Sequence, residues 1–256
     1  MTTQTATGPF RTLPFLLGFG FLYTVLALLA ELDATGRYGL AILAVVLLAT
    51  VVVERLLGAT GTVAALRSLG LGRPDWRALL VASCLAALIQ GVYPLVAGVT
   101  GAAFTLRPGW PWLLLGIAAF HGVAEELVWR GYAFRRLREG RAFGAAVLAT
   151  MPLVAATHIA VVFHSGLVVG LAAMLVAAVT SLPLAYLFEL GRRTIWAPAL
   201  VHAAIDSFKL VNIPADAQLT FSLTLSVVSL TVPMLAFAAR TRVHQSTSIK
   251  EEPCHL

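Results

Sequence analysis

Eight stretches of this sequence are apolar over nearly the length needed to cross a bilayer, and no polar segment between them is large enough to fold alone. They are Leu13–Leu32, Tyr38–Val53, Leu79–Val99, Trp110–Val128, Phe143–Phe163, Leu167–Phe188, Ile195–Val211 and Leu219–Ala239. A helix needs about 20 predominantly apolar residues to span the hydrocarbon. Lipid offers the backbone no partner, so each stretch must satisfy its own hydrogen bonds as a helix. The second stretch is short, and only His164-Ser165-Gly166 separates the fifth from the sixth. Composition agrees, with 59% hydrophobic and 12% charged residues, where a soluble domain carries roughly 25% charge. The predicted fold is all-α: a polytopic membrane protein of about eight transmembrane helices, with residues 1–256 forming a single transmembrane domain. Between the second and third stretches, Gly58–Trp76 sets Leu66, Leu69 and Leu71 among Arg67 and Arg73, which predicts an interfacial segment. The first run follows one basic residue, Arg11, and is too long for a cleaved signal peptide.

Eight spans place both termini on one side, and basic residues decide which. With Arg130 set aside inside the fourth span, one side receives Arg11, Arg55, Arg67, Arg73, Arg77, Arg135, Arg136, Arg138, Arg141, Arg192, Arg193, Arg240, Arg242 and Lys250. The other receives Arg37, Arg107 and Lys209. Positive charge gathers on cytoplasmic loops, so both termini are expected in the cytoplasm. The net charge of +6 is thereby explained by the bilayer, and no nucleic-acid partner is expected. Cys84 lies in an apolar run and Cys254 in the polar tail, so no structural disulfide is expected. Cys254 is third from the end, where a prenylation box would need it fourth.

Ionisable groups deep in a bilayer are costly and usually functional. Among the acids, Glu125, Glu126 and Asp206 fall within spans, and among the histidines His121, His158 and His202 do so. All six sit on the fourth, fifth and seventh helices. Glu126 and Arg130 are four apart and can pair along one helix face. Glu125 is turned about 100° from Glu126 and can face elsewhere. His202 and Asp206 are also four apart, which lets the carboxylate hold one imidazole nitrogen and fix its tautomer. His158 needs a partner from another helix. One carboxylate and two imidazoles from three helices can position and deprotonate a water. His121, four before Glu125, either shares that face or packs between helices; Lys209 and His164 read as interfacial.

The string Glu125-Glu126-Leu127-Val128-Trp129-Arg130-Gly131 has the form Glu-Glu-x-x-x-Arg-Gly. It is followed by the isolated His158 and by His202-Ala203-Ala204-Ile205-Asp206, a His-x-x-x-Asp pattern. This resembles the CAAX protease and bacteriocin-processing (CPBP, or Abi) family of intramembrane endopeptidases, and is similar to the type 2 CAAX prenyl proteases. Thr194–Val201 before His202 also looks like that family. Val154 stands where the family often has Phe, and Asp206 where members carry Asn or Asp.

The resemblance implies catalytic motifs within residues 110–212 and an endopeptidase acting on a membrane-associated peptide, either lipidated or leader-bearing, in a bacterial cytoplasmic membrane. Glu125 would be the base, His158 and His202 would hold the water, and Asp206 would support the site. Glu126 and Arg130 would brace the fourth helix. Two mechanisms stay open: zinc held by Glu125, His158 and His202, or metal-free water activation by Glu125. A catalytically silent scaffold or immunity protein of the same fold is the alternative. A secondary transporter is less compatible, because no internal repeat is visible.

At 1.5 Å per residue, Glu125 lies about 15 Å from Arg135 and His202 about 13 Å from Arg193, whereas His158 lies roughly 25 Å from Arg141. The fifth helix is therefore expected to start outside the hydrocarbon, or to be tilted or broken near Pro152.

Overall fold

Among the described residues, seven helices are long and apolar enough to cross a membrane: α1 (Thr12–Leu32), α2 (Gly39–Leu56), α4 (Trp76–Thr100), α5 (Trp110–Arg138), α6 (Phe143–His164), α7 (Leu167–Leu190) and α9 (Gln218–Ala238). Two shorter helices accompany them, α3 (Thr62–Ser68) and α8 (Trp196–Asp206), the latter continued by a 3-10 turn at Ser207–Leu210. The computed structural model describes residues 12–33 and 35–239; Arg11, Arg240, Arg242, Lys250 and Cys254 lie outside them.

The seventh stretch expected to span is the short α8. Its start is tied to the loop after α3, where the Ile195 N–H donates to the Gly70 carbonyl. Its end is tied to the loop between α4 and α5, where the Arg107 N–H donates to the Leu210 carbonyl. The short strands β1 (Thr105–Leu106) and β2 (Val211–Asn212) pair there, antiparallel. Those loops lie at opposite ends of α4, and Trp196–Leu210 runs between them, but the helices of membrane-crossing length among the described residues number seven, not the expected eight. α8 is short because it is enclosed by protein: Ala197, Pro198, Ala199, Val201 and Ala204 are buried.

α5 runs through the middle, with every side chain from Leu127 to Phe134 buried. The outer helices instead present Leu17, Phe21 and Leu28 of α1 and Val168 and Leu171 of α7 outward, the surface a lipid-facing helix needs. Association between helices in lipid depends on close packing rather than water exclusion. Small residues provide it here: a Cβ on Gly39 or Gly116 would collide with the facing backbone at the α2–α5 contact, and one on Gly131 with the Leu69 carbonyl. That last contact corrects the expectation for Gly58–Trp76. The segment does not merely lie at an interface: Leu69 is fully buried, and the Gly72 carbonyl accepts from the Trp196 indole at 2.8 Å.

α2 ends in a buried carboxylate, Glu54, which receives Arg135 at 2.7 Å and Arg136 at 2.8 Å. Asp33 organises the opposite end. Its Oδ1 accepts the backbone N–H groups of Gly36 and Arg37 at 2.9 and 3.0 Å, and its Oδ2 that of Tyr38 at 2.6 Å. Burial pushes this carboxyl upward, but the Tyr38, Thr35 and Arg37 donors outweigh it and hold it below its ordinary 3.8.

α6 is broken, but at Thr157–His158 rather than at Pro152, which sits inside its first segment. The Val154 carbonyl, which would normally accept the His158 N–H, instead accepts from the Thr157 hydroxyl at 2.6 Å and from His158 Nδ1 at 3.1 Å. The His158 N–H turns to the Ala155 carbonyl instead. Side-chain competition for a backbone acceptor opens the helix at the histidine itself. α6 begins at Phe143, two residues after Arg141.

Candidate active site

The middle of α5 winds in wide π-helical turns over Ala118–Ala124 and Leu127–Phe134, interrupted at Glu125 and Glu126. Such turns inside α-helices are frequent at functional sites. They flank two carboxylates with different environments. Glu126 is fully buried and pairs with Arg130 at 2.8 Å, as the i,i+4 spacing predicts. The same oxygen, Oε1, meets His202 Nδ1 at 2.8 Å.

Glu125 faces the other way. Its Oε1 lies 2.7 Å from His121 Nδ1, and its Oε2 lies 3.4 Å from the Trp129 indole nitrogen and 3.6 Å from His202 Nε2. His202 Nε2 is 3.5 Å from Asp206 Oδ2, too long for a strong hydrogen bond. The partner that fixes the His202 ring is therefore Glu126, not the expected Asp206. Asp206 instead pairs with Lys209 at 3.0 Å, and Lys209 Nζ lies 2.7 Å from His121 Nε2. Glu125, His121, Lys209, Asp206 and His202 thus form a closed ring of polar side chains between α5 and α8.

His158 enters from α6. A carbonyl only accepts, so the 3.1 Å approach of Nδ1 to the Val154 carbonyl places the ring proton on Nδ1 and leaves the Nε2 lone pair available in the neutral ring. Two cavities meet at these residues. One, of about 290 Å³, is lined by the polar ring together with Tyr23, Thr157 and His158. The other, of about 560 Å³, is walled by Val169, Ala173 and Val176 of α7 and Leu219, Ser222 and Ser226 of α9. Glu125, Trp129, His158, His202 and Asp206 line both.

Each of the six site residues expected from sequence therefore lies at this junction or directly behind it. Lys209, which its position suggested to be interfacial, is part of the ring, and His121 bonds Glu125 instead of only packing. The spacing held the signal: His121, Glu125 and Trp129 recur every four residues, and Lys209 follows Asp206 by three. As ligands the set Glu125, His158 and His202 fits a metal poorly. Among the described residues no three His, Cys, Asp or Glu side chains are gathered so as to hold one, and His158 lines the cavity without joining the ring.

Residues 107–208 match the family model for the type II CAAX prenyl endopeptidase, Rce1-like. No curated protein and no solved structure matches the chain. The match supports an intramembrane CAAX-type endopeptidase in general. It begins in the loop before α5, ends just beyond α8, and includes every residue of the site from Glu125 to Asp206. Across the stretch that holds Glu125, Glu126, Arg130, His158, His202 and Asp206, this chain carries the sequence pattern of the type II CAAX prenyl endopeptidase, Rce1-like family, in agreement with the reading drawn from its motifs.

Proposed function

We propose that the protein hydrolyses a peptide bond of a membrane-associated peptide, with Glu125 as the base that activates the attacking water. The observation that carries this reading is the position of Glu125 where the two cavities meet. His121 occupies its Oε1, so Oε2, 3.6 Å from His202 Nε2, is the oxygen left to act as base. Water in the smaller cavity is positioned by His158 and His202 and gives a proton to Glu125 Oε2. The resulting hydroxide attacks the scissile carbonyl carbon. When the tetrahedral intermediate collapses, the C–N bond breaks and the leaving amine takes the proton back from Glu125, so the carboxylate is restored.

Asp206, held by Lys209, supports the His202 side of the site. Glu126 and Arg130 hold α5 and the His202 ring in register. No step requires a metal. The substrate enters through the larger, mostly apolar cavity between α7 and α9, so it is a peptide whose scissile segment reaches the bilayer, lipidated or leader-bearing. The basic end of the bundle, with Arg55, Arg135, Arg136, Arg138 and Arg192, faces the cytoplasm of a bacterial inner membrane, placing both termini there.

The test is isotopic. Purified protein is incubated in H₂¹⁸O with a panel of prenylated and leader-bearing peptides, and products are read by mass spectrometry. A new internal C-terminus carrying one ¹⁸O is expected. Products without ¹⁸O, or intact peptides throughout the panel, would refute hydrolysis at this site.

A further inference from the structure

The basic end of the bundle carries a groove that the hydrolytic site does not use. Its volume is about 420 Å³, and it is lined by Arg73, Pro74, Asp75, Trp76, Arg77 and Arg192, where α4 begins beside the α7–α8 connection. We propose that this groove binds the phosphate of an anionic phospholipid headgroup, with the acyl chains lying along the outward face of α4.

Three guanidinium groups border the groove against one carboxylate, and that carboxylate is already committed. Asp75 Oδ1 caps α4 by accepting the Arg77 and Ala78 N–H groups at 3.0 and 3.1 Å, and its Oδ2 faces Arg192 Nε at 3.1 Å. Arg73 and Arg77 meet no carboxylate within ion-pair distance among the described residues. The Arg77 guanidinium lies 5.4 Å over the Trp76 ring, which orients its donors. Planar guanidinium groups suit phosphate oxygens because they can offer two N–H donors at once.

The backbone supports the same reading. Arg192 and Arg193 both adopt left-handed conformations, φ 57° and 61°, which residues other than glycine rarely do and which concentrate at functional positions. That conformation brings Arg192 across to Asp75.

A lipid is favoured over free phosphate by what lies below. Trp76, 66% exposed, sits where the apolar span of α4 starts, the depth at which interfacial tryptophans reside. Leu80, Cys84 and Leu88 follow at four-residue spacing and are all exposed, forming a strip on which acyl chains can lie. Basic pockets between spanning helices on the cytoplasmic side recur as anionic headgroup sites.

The experiment is a thermal-shift titration of the full chain in neutral detergent with phosphatidylglycerol, phosphatidylcholine or inorganic phosphate. Wild type and Arg77→Gln/Arg192→Gln are compared, with Arg67→Gln as a control for an exposed charge outside the groove. Phosphatidylglycerol should raise the melting temperature of wild type and of Arg67→Gln alike. The double variant, whose own melting curve in lipid-free detergent reports folding, should need at least tenfold more lipid for half the effect. Phosphatidylcholine and inorganic phosphate should do little. Equal stabilisation of the double variant, equal weakening by Arg67→Gln, or an inorganic phosphate effect matching that of the lipid would each overturn the proposal.

Discussion

His202 Nδ1 lies 2.8 Å from Glu126 Oε1, and this contact joins α8 to α5 at the depth of the site. The same oxygen receives Arg130 at 2.8 Å, while Glu126 Oε2 is buried without a partner among the described residues. One carboxylate oxygen thus holds both a charge on its own helix and the imidazole of another.

Removing either end of that arrangement strands a buried charge, which costs about 3–5 kcal/mol. Glu126→Ala and Arg130→Ala should each lower the melting temperature in detergent and reduce activity. The double variant should lose less than the sum of the two, because the pair is removed together. A wild-type melting temperature in either single variant would contradict the bracing role.

Lys209 Nζ and His121 Nε2 are 2.7 Å apart, so one of the two nitrogens must supply a lone pair. With Lys209 as the ammonium, His121 carries its proton on Nδ1 and donates it to Glu125 Oε1. Lys209→Met should therefore lower kcat by about 10- to 100-fold, the range seen when groups that orient a site are lost. KM should change little, and Lys209→Arg should recover part of the activity. Equal kcat in wild type and Lys209→Met would remove Lys209 from the site.

Asp33 makes stability depend on pH. Its carboxyl titrates below the 3.8 of an unfolded aspartate, so it favours the folded state above that value, and its contribution is lost as the pH falls through the lowered folded value. Asp33→Asn should remove this contribution and set a donor against the Tyr38 N–H that Oδ2 now accepts at 2.6 Å, costing about 1–3 kcal/mol. Melting temperatures measured from pH 7 to pH 2 should show a steady gap between wild type and variant above 3.8 and a narrowing gap below it. A constant gap across that range would show that ionisation of Asp33 plays no part.

Much of this was legible in the chain because the bilayer imposes a simple rule on long apolar runs. α1, α2, α4, α5, α6, α7 and α9 all follow from it, and so does the Glu126–Arg130 pair, fixed by local spacing alone. The passage of α8 was legible only as a run of borderline length, since its ends are set by contacts to Gly70 and Arg107 distant in sequence. The partner of His202 was misassigned for the same reason. Asp206 is its neighbour on the helix, but Glu126 reaches it from α5, and spacing within one helix carries no information about another. A break in α6 near Pro152, where the sequence shows a missing donor, was one of the alternatives to a start outside the hydrocarbon. The break occurs at His158 because two side chains compete for the Val154 carbonyl. Glu54, one residue beyond the second apolar stretch, is a buried hub because Arg135 and Arg136 come to it from α5.

The most direct test of the account is Glu125→Gln, which keeps the size and hydrogen-bonding reach of the side chain and removes its basicity. Wild type and variant are purified in parallel and matched by melting temperature. Each is then assayed by the rate of ¹⁸O-labelled product formation on whichever prenylated or leader-bearing peptide the wild type cleaves fastest. Loss of a water-activating base lowers the rate by factors of about 10²–10⁴, so the variant is predicted to fall at least about 100-fold while remaining folded. A folded Glu125→Gln protein with activity within about threefold of wild type would contradict the assignment of Glu125 as the base.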